Sequence, residues 1–261
     1  MNLGLEGKTA LVVGGGGGLG GAVALALARE GTRVVVAGRD QDAAAATVDV
    51  IEAERGEAFP VYLDLTDLDS LDAAVETIRS RYGNVEILFN NSGGPPPSTA
   101  AGQPEEVWRE YFDSIVLGVI ALTDRVLPAM RRGRWGRIVT NTSSGVVTPI
   151  PNLALSNTLR LSLVGWSKTL AQEVAADGIT VNIVVPGRIA TDRVRTLDEA
   201  RAQREGKTVD EIAAASTAMI PVGRYGEPAE FAVAVAFLAS AQASFITGTT
   251  LRVDGGQIPS I

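Results

Sequence analysis

Three groups of residues in this chain have the types and spacing for chemistry. The first is a glycine run, Gly14, Gly15, Gly16, Gly17 and Gly18, continued by Leu19 and Gly20 and followed by the helical pattern AVALALARE. Glycines let a backbone turn sharply and approach a pyrophosphate, whose charge then rests at the N-terminus of the next helix. The second is Arg39, in Gly38-Arg39-Asp40 after the second β-branched run, with no carboxylate where a ribose 2′-hydroxyl would be bound. An arginine there suits a 2′-phosphate. These two groups predict a dinucleotide site for NADP(H) rather than NAD(H). The third is Ser143, in Asn141-Thr142-Ser143-Ser144-Gly145, with Ser156 and Arg160 following it one helical turn apart. Arg160 is permanently charged, but a serine hydroxyl is far less acidic than a phenol and makes a poor proton donor.

What is missing narrows the chemistry further. The 261 residues include no cysteine and no histidine, which removes disulfides, thiolate nucleophiles and the commonest zinc ligands. No metal site is expected. A net charge of -7 and only a short basic cluster, Arg131, Arg132, Arg134 and Arg137, argue against nucleic acid as a partner. No apolar stretch approaches the roughly 20 residues that span a bilayer, and the N-terminus lacks a signal-peptide pattern. The expectation is a cytoplasmic protein acting on a small molecule.

The elements that must position these groups are legible as alternating patterns. Strand-like runs occur at TALVV (9–13), RVVVA (33–37), PVYLD (60–64), EILFN (86–90), RIVTN (137–141), ITVNIVV (179–185) and TLRV (250–253), with helical patterns between them. This predicts an α/β fold: a single Rossmann-type, doubly wound, seven-stranded parallel sheet with helices on both faces, as one domain over 1–261. Thr66 and Thr208 are candidate helix caps with acidic partners Asp69 and Glu211, and Pro228 suits a first helical turn. Two stretches look irregular, 93–103 and the charge-rich 192–217. Both follow carboxyl ends of strands, where ligands bind in open α/β sheets. The second is either a substrate-side lid or a solvated connection.

Over essentially its whole length the chain resembles the short-chain dehydrogenase/reductase family. Val13 to Gly20 match its glycine turn, with Val13 where the family has threonine. Asp64 and Leu65 match its adenine-contacting pair, and Asn90-Asn91-Ser92-Gly93 its turn after the fourth strand. Pro186-Gly187-Arg188-Ile189-Ala190-Thr191 matches its Pro-Gly segment, and Val253-Asp254-Gly255-Gly256 its ending. The resemblance implies a dinucleotide held by Gly14, Gly16, Gly17, Gly18, Leu19, Gly20, Arg39, Asp64, Leu65, Asn91, Ser92, Gly93, Pro186 and Gly187. Ile189 and Thr191 would touch the nicotinamide carboxamide, and Arg160 its ribose.

Family members use serine, tyrosine and lysine, the last two spaced Tyr-x-x-x-Lys so that the cation lowers the phenol pKa. Ser143 occupies the serine position, but Ser156 and Arg160 stand where tyrosine and lysine are expected, and Ile115 where many members carry a supporting asparagine. The downstream Gly165-Trp166-Ser167-Lys168 segment fits the family helix without a gap, and no Tyr-x-x-x-Lys occurs anywhere in the chain. Tyr111 as a substitute acid and Arg188 as an anion receptor stand beside plainer readings as core and solvated loop; Asn157 is a candidate to orient a water beside Ser143, and Lys168 packs at the helix surface. Two functions compete: an NADP-dependent oxidoreductase with altered proton delivery, or a non-catalytic NADP(H)-binding subunit or sensor, paired with an active relative. Non-redox chemistry on the same scaffold ranks third. The resemblance also implies a homotetramer or homodimer, since family members commonly associate through the helices starting near residues 105 and 155, whose apolar content here exceeds one buried stripe.

Overall fold

The computed structural model describes residues 2–260. Seven strands, β1 (Thr9–Val13), β2 (Arg33–Gly38), β3 (Glu57–Tyr62), β4 (Ile87–Asn90), β5 (Gly136–Asn141), β6 (Ile179–Pro186) and β7 (Thr250–Val253), form one sheet in the order β3-β2-β1-β4-β5-β6-β7. Every pairing is parallel. The β3 strand begins three residues earlier than its apolar run implies, because the exposed Glu57 pairs with Arg33 on the outermost strand of the sheet.

Alternate residues of each strand feed opposite faces. Val12, Val34 and Val36 pack with Val23 and Leu27 of α1 (Gly18–Arg29), Ile51 of α2 (Gln41–Ala53) and Phe231 of α9 (Pro228–Ala239). Leu11, Val13 and Val35 face the other way. They pack with Leu71 and Ile78 of α3 (Leu68–Tyr82), Leu122 and Val126 of α5 (Gly118–Gly133) and Leu170 of α6 (Ala154–Val174). Burying each such side chain contributes about 1.5–3 kcal/mol, so the sheet is held from both sides and its strand ends form a fixed platform.

Several local signals are realised as the sequence predicts and one is displaced. Thr208 caps α8 (Val209–Thr217) in a reciprocal capping box with Glu211, and Pro228 opens α9. The cap of α3 is Asp67 rather than Thr66: its carboxylate accepts from the Asp69 and Ser70 amides, while Thr66 is engaged by Asp64. A charged acceptor one residue closer to the helix outcompetes the hydroxyl. The stretch 192–217 is not irregular but forms α7 (Asp192–Glu205) and α8, whose surface exposure explains the missing apolar stripe. Between α4 (Glu105–Phe112) and α5 the helix passes through a π-helical segment, Asp113–Leu117, that turns Ile115 fully into the core. Among the described residues, no helix is long and apolar enough to cross a membrane, and no acidic cluster able to hold a metal ion is present.

Candidate functional site

Strand order reverses direction between β1 and β4, and a crevice opens at their carboxyl ends, where the chain leaves β1 for one side and β4 for the other. Gly14 and Asn91 are the residues at its base. Gly14 has φ +64, and a Cβ there would lie 2.7 Å from Asn91 Nδ2. Gly20 sits tighter still, since its Cβ would come within 2.0 Å of the Gly14 carbonyl oxygen. Gly17, by contrast, faces open space, with nothing within 4 Å of a built Cβ. No side chain caps α1, so its first amides remain for an anion approaching over Gly17. This cradle fits a pyrophosphate.

Two hollows of about 590 and 470 Å³ flank this point and share Gly14, Asn91, Ser92, Gly93 and Gly94. The outer one is lined by Gly16, Arg39, Asp40, Asp64, Leu65 and Thr66. Asp40 turns its carboxylate onto the Ala43 amide as the cap of α2, and Asp64 accepts from the Thr66 amide and hydroxyl. Arg39 is exposed and, among the described residues, has no hydrogen-bond or ion-pair partner. It is the cation of that hollow left free for a ligand.

The inner hollow brings together Ser143, Ser156 and Arg160 with Gly17, Gly18, Leu19, Pro186, Gly187, Ile189 and Thr191. Ser143 follows β5, and its Oγ accepts from the Gly145 amide at 3.1 Å while its proton stays free to donate. Ser156 and Arg160 project from α6 and are 6% and 5% exposed. The Arg160 guanidinium donates to the carbonyls of Ser92 (3.0 Å), Gly93 (2.9 Å) and Asn141 (3.4 Å), tying the ends of β4 and β5 to α6. Burial, reinforced by the neighbouring Arg193 charge, lowers its pKa to about 10, which still leaves it charged at neutral pH. Beside it Asn141 donates to Asn91 Oδ1 at 2.9 Å, and its own Oδ1 is buried without a partner.

Arg160 is therefore a structural clamp as well as a wall of the hollow. Arg160→Met would leave three carbonyls without their charged donor, and we expect a loss of about 3 kcal/mol. That corresponds to roughly 6–12 °C in Tm, readable by differential scanning calorimetry. An unchanged Tm would show that the carbonyls are equally well served by water.

Two sequence expectations are corrected here. Asn157 does not orient a water beside Ser143, because its amide is paired twice with the Ile150 backbone, accepting at 3.2 Å and donating at 2.9 Å. Arg188 is not free to receive an anion. It forms an ion pair with Asp198 of α7, which is 3% exposed and also accepts from the Tyr225 hydroxyl at 2.7 Å. A buried carboxylate requires such partners. The network ties α7 to the body of the fold, and the first turns of α7, from Asp192 to Leu197, cover the inner hollow. Thr191 caps this helix through the Val194 amide. Arg193, which sequence reasoning passed over, reaches from α7 to the Pro95 carbonyl at 2.5 Å and lies against Gly94. Its only signal was membership of a charge-rich segment. Tyr111 lines the outer hollow and packs against the cluster containing Ile115, and Lys168 bonds the Gly248 carbonyl at the surface.

A switch-point crevice, an uncapped helix behind a glycine turn and a free arginine at the second strand define a Rossmann-type dinucleotide-binding protein. The chain belongs to the short-chain dehydrogenase/reductase family. The family model described as enoyl-(acyl carrier protein) reductase matches residues 14–257. The chain is similar to the 3-oxoacyl-acyl-carrier-protein reductase FabG of Escherichia coli, 39% identical over 253 residues, covering 96% of this chain and 97% of that one. Among solved structures it is similar to L-sorbose reductase from Gluconobacter frateurii complexed with NADPH and L-sorbose, with a TM-score of 0.94, 29% identity and all of both chains covered. It is also similar to an actinorhodin polyketide ketoreductase with NADPH, with a TM-score of 0.92, 32% identity and 96% and 97% of the two chains covered.

Proposed function

We propose that this protein is an NADP(H)-dependent oxidoreductase that moves hydride to or from a small carbonyl, imine or enone substrate, with proton delivery that does not use a tyrosine. The observation that carries this reading is the continuous groove from the free Arg39 over the glycine cradle to Ser143 and Arg160. Relatives with NADPH in the same fold support it. In the groove, the α1 amides and the glycine turn would hold the pyrophosphate, Arg39 the 2′-phosphate, and Ile189 and Thr191 the carboxamide. NADPH, when bound, supplies a hydride.

What the chain's own residues add is orientation more than acidity. Ser143 Oγ donates to a substrate oxygen or nitrogen, and Arg160 fixes the β4 and β5 ends that set its position. Ser156 is a far weaker acid than a phenol and cannot take a tyrosine's place as general acid to a developing alkoxide. A substrate whose reduced form needs no strong acid, such as an iminium, suits these groups, as does delivery through water between Ser143 and Ser156. The same reading includes self-association as a homodimer or homotetramer through the face where Phe112, Leu117 and Leu161 are exposed.

The test is NADPH titration followed by single-turnover oxidation with a panel of ketones, imines and enones. We expect stoichiometric binding, turnover with at least one class, and slowing by about 10² in Ser143→Ala. Binding without any turnover sinks the enzymatic reading in favour of a cofactor-holding subunit, and failure to bind any dinucleotide sinks both. Cofactor choice is tested separately: Arg39→Ala should weaken NADPH by about tenfold, the scale of one charged hydrogen bond partly exposed to solvent, and leave NADH unchanged. Equal losses for both would remove Arg39 from the 2′-phosphate site.

A further inference from the structure

We infer that the inner hollow takes a small substrate bearing a carboxylate, and that Arg193 is the residue that receives it. The inference rests on the oxidoreductase reading and names its substrate class. Three guanidinium groups line this hollow: Arg188, which is paired with Asp198, Arg160 in the wall and Arg193 in the covering helix. Among the described residues neither of the last two has a carboxylate within ion-pair distance. The acids nearby are committed elsewhere: Asp198 to Arg188 and Tyr225, and Asp192, whose side chain is 92% exposed, to Arg195 at 3.0 Å.

The two arginines differ in how far they are used up. Arg160 spends three N–H donors on backbone carbonyls. Arg193 makes one hydrogen bond, to Pro95, so most of its five donors remain. Burial lowers the pKa of each, and Arg193 also lowers that of Arg160, as expected for like charges sharing a poorly solvated space. An anion between helix and wall relieves both costs, and a guanidinium fork matches a carboxylate in two-point geometry.

The cofactor's own phosphates do not account for this charge. The pyrophosphate cradle is the glycine turn and the amides of α1, and the free cation for the 2′-phosphate is Arg39 in the outer hollow, which Arg193 does not line. Ile150, Leu153, Val194 and Leu197 give the same hollow an apolar side. The occupant is thus a compound with an apolar body, a reducible carbonyl or imine carbon, and a carboxylate. A 2-oxo acid has this form.

The experiment compares benzoylformate with its methyl ester on the protein saturated with NADP+, by calorimetry, so that no turnover is needed. The expected result is tighter binding of the acid by about tenfold or more. Arg193→Met should erase that preference, Arg193→Lys should retain part of it, and Arg204→Met, an exposed control on the same helix that does not line the hollow, should leave it unchanged. Equal binding of acid and ester, or binding of neither, overturns the inference. So does a loss of NADP+ affinity in Arg193→Met, which would assign Arg193 to the cofactor. None of these outcomes touches the oxidoreductase reading, whose failure would appear as absent dinucleotide binding or as absent turnover across the whole panel of ketones, imines and enones.

Discussion

Gly20→Ala should abolish measurable NADPH binding and destabilise the fold by about 3 kcal/mol, at the upper end of overpacking costs. The added Cβ would lie 2.0 Å from the Gly14 carbonyl oxygen and 2.7 Å from its carbon, both backbone atoms that no rotamer change can move aside. Either the first turn of α1 or the turn at Gly14 must shift, and Gly14 is held from its other side by Asn91, which Asn141 in turn holds. The displacement is delivered to the atoms that would surround a pyrophosphate. Gly17→Ala provides the contrast. Its Cβ meets nothing within 4 Å, so stability should change by no more than about 1 kcal/mol, while the methyl group projects into the space an anion would use. Thermal melting with fluorescence titration of NADPH separates the cases. If Gly20→Ala binds NADPH as the parent does, the glycine turn is not the phosphate cradle; if Gly17→Ala does, the ligand does not pass over this face.

The fold was readable because its signals are local and repeated. Val12 and Leu11 point to opposite faces through the period-two alternation of any strand, and a chain with strands buried on both sides advertises them as apolar runs. The glycine turn was equally plain, since its residues are adjacent in sequence and their reason is steric. The inner hollow was read less well. Arg188 and Asp198 are ten residues apart, and Asp198 meets Tyr225 across a further 27. No periodicity connects such partners, so an arginine committed to a buried carboxylate looks the same in sequence as a free one. Arg193 failed in the opposite direction, as a surface-helix arginine that the fold aims across a cavity at Pro95. Asn157 was misjudged because its backbone partners at Ile150 depend on how the preceding turn closes onto α6. Side chains that act through their own element were legible; those whose role is set by a second, distant element were not.

Ser156→Tyr should raise the single-turnover rate of ketone reduction by about 10² or more, within the range supplied by a positioned general acid. The substitution adds a phenol, which none of the described residues lining the inner hollow supplies. Ser156 is on its wall, one helical turn before Arg160, so a phenol placed there lies on the same helix face as a buried cation. A neighbouring positive charge stabilises phenolate and lowers the phenol pKa, which makes it a better donor to an alkoxide. The sign of the pH dependence follows: reduction needs the phenol protonated, so the gained rate should be present at low pH and fade as pH rises through the phenol's lowered pKa. The parent, with no phenol there, should lack that decline below the Arg160 pKa of about 10. The hollow contains about 470 Å³ of space, so the ring can extend into it without displacing Arg160, and NADPH affinity should stay within about threefold of the parent. Stopped-flow oxidation of bound NADPH against pH, on parent and variant with the same ketone, decides the matter. A variant that binds NADPH normally but reduces ketones no faster would mean that proton delivery is not what limits this site. The cause would then lie in how Ser143 and the covering helix place the substrate.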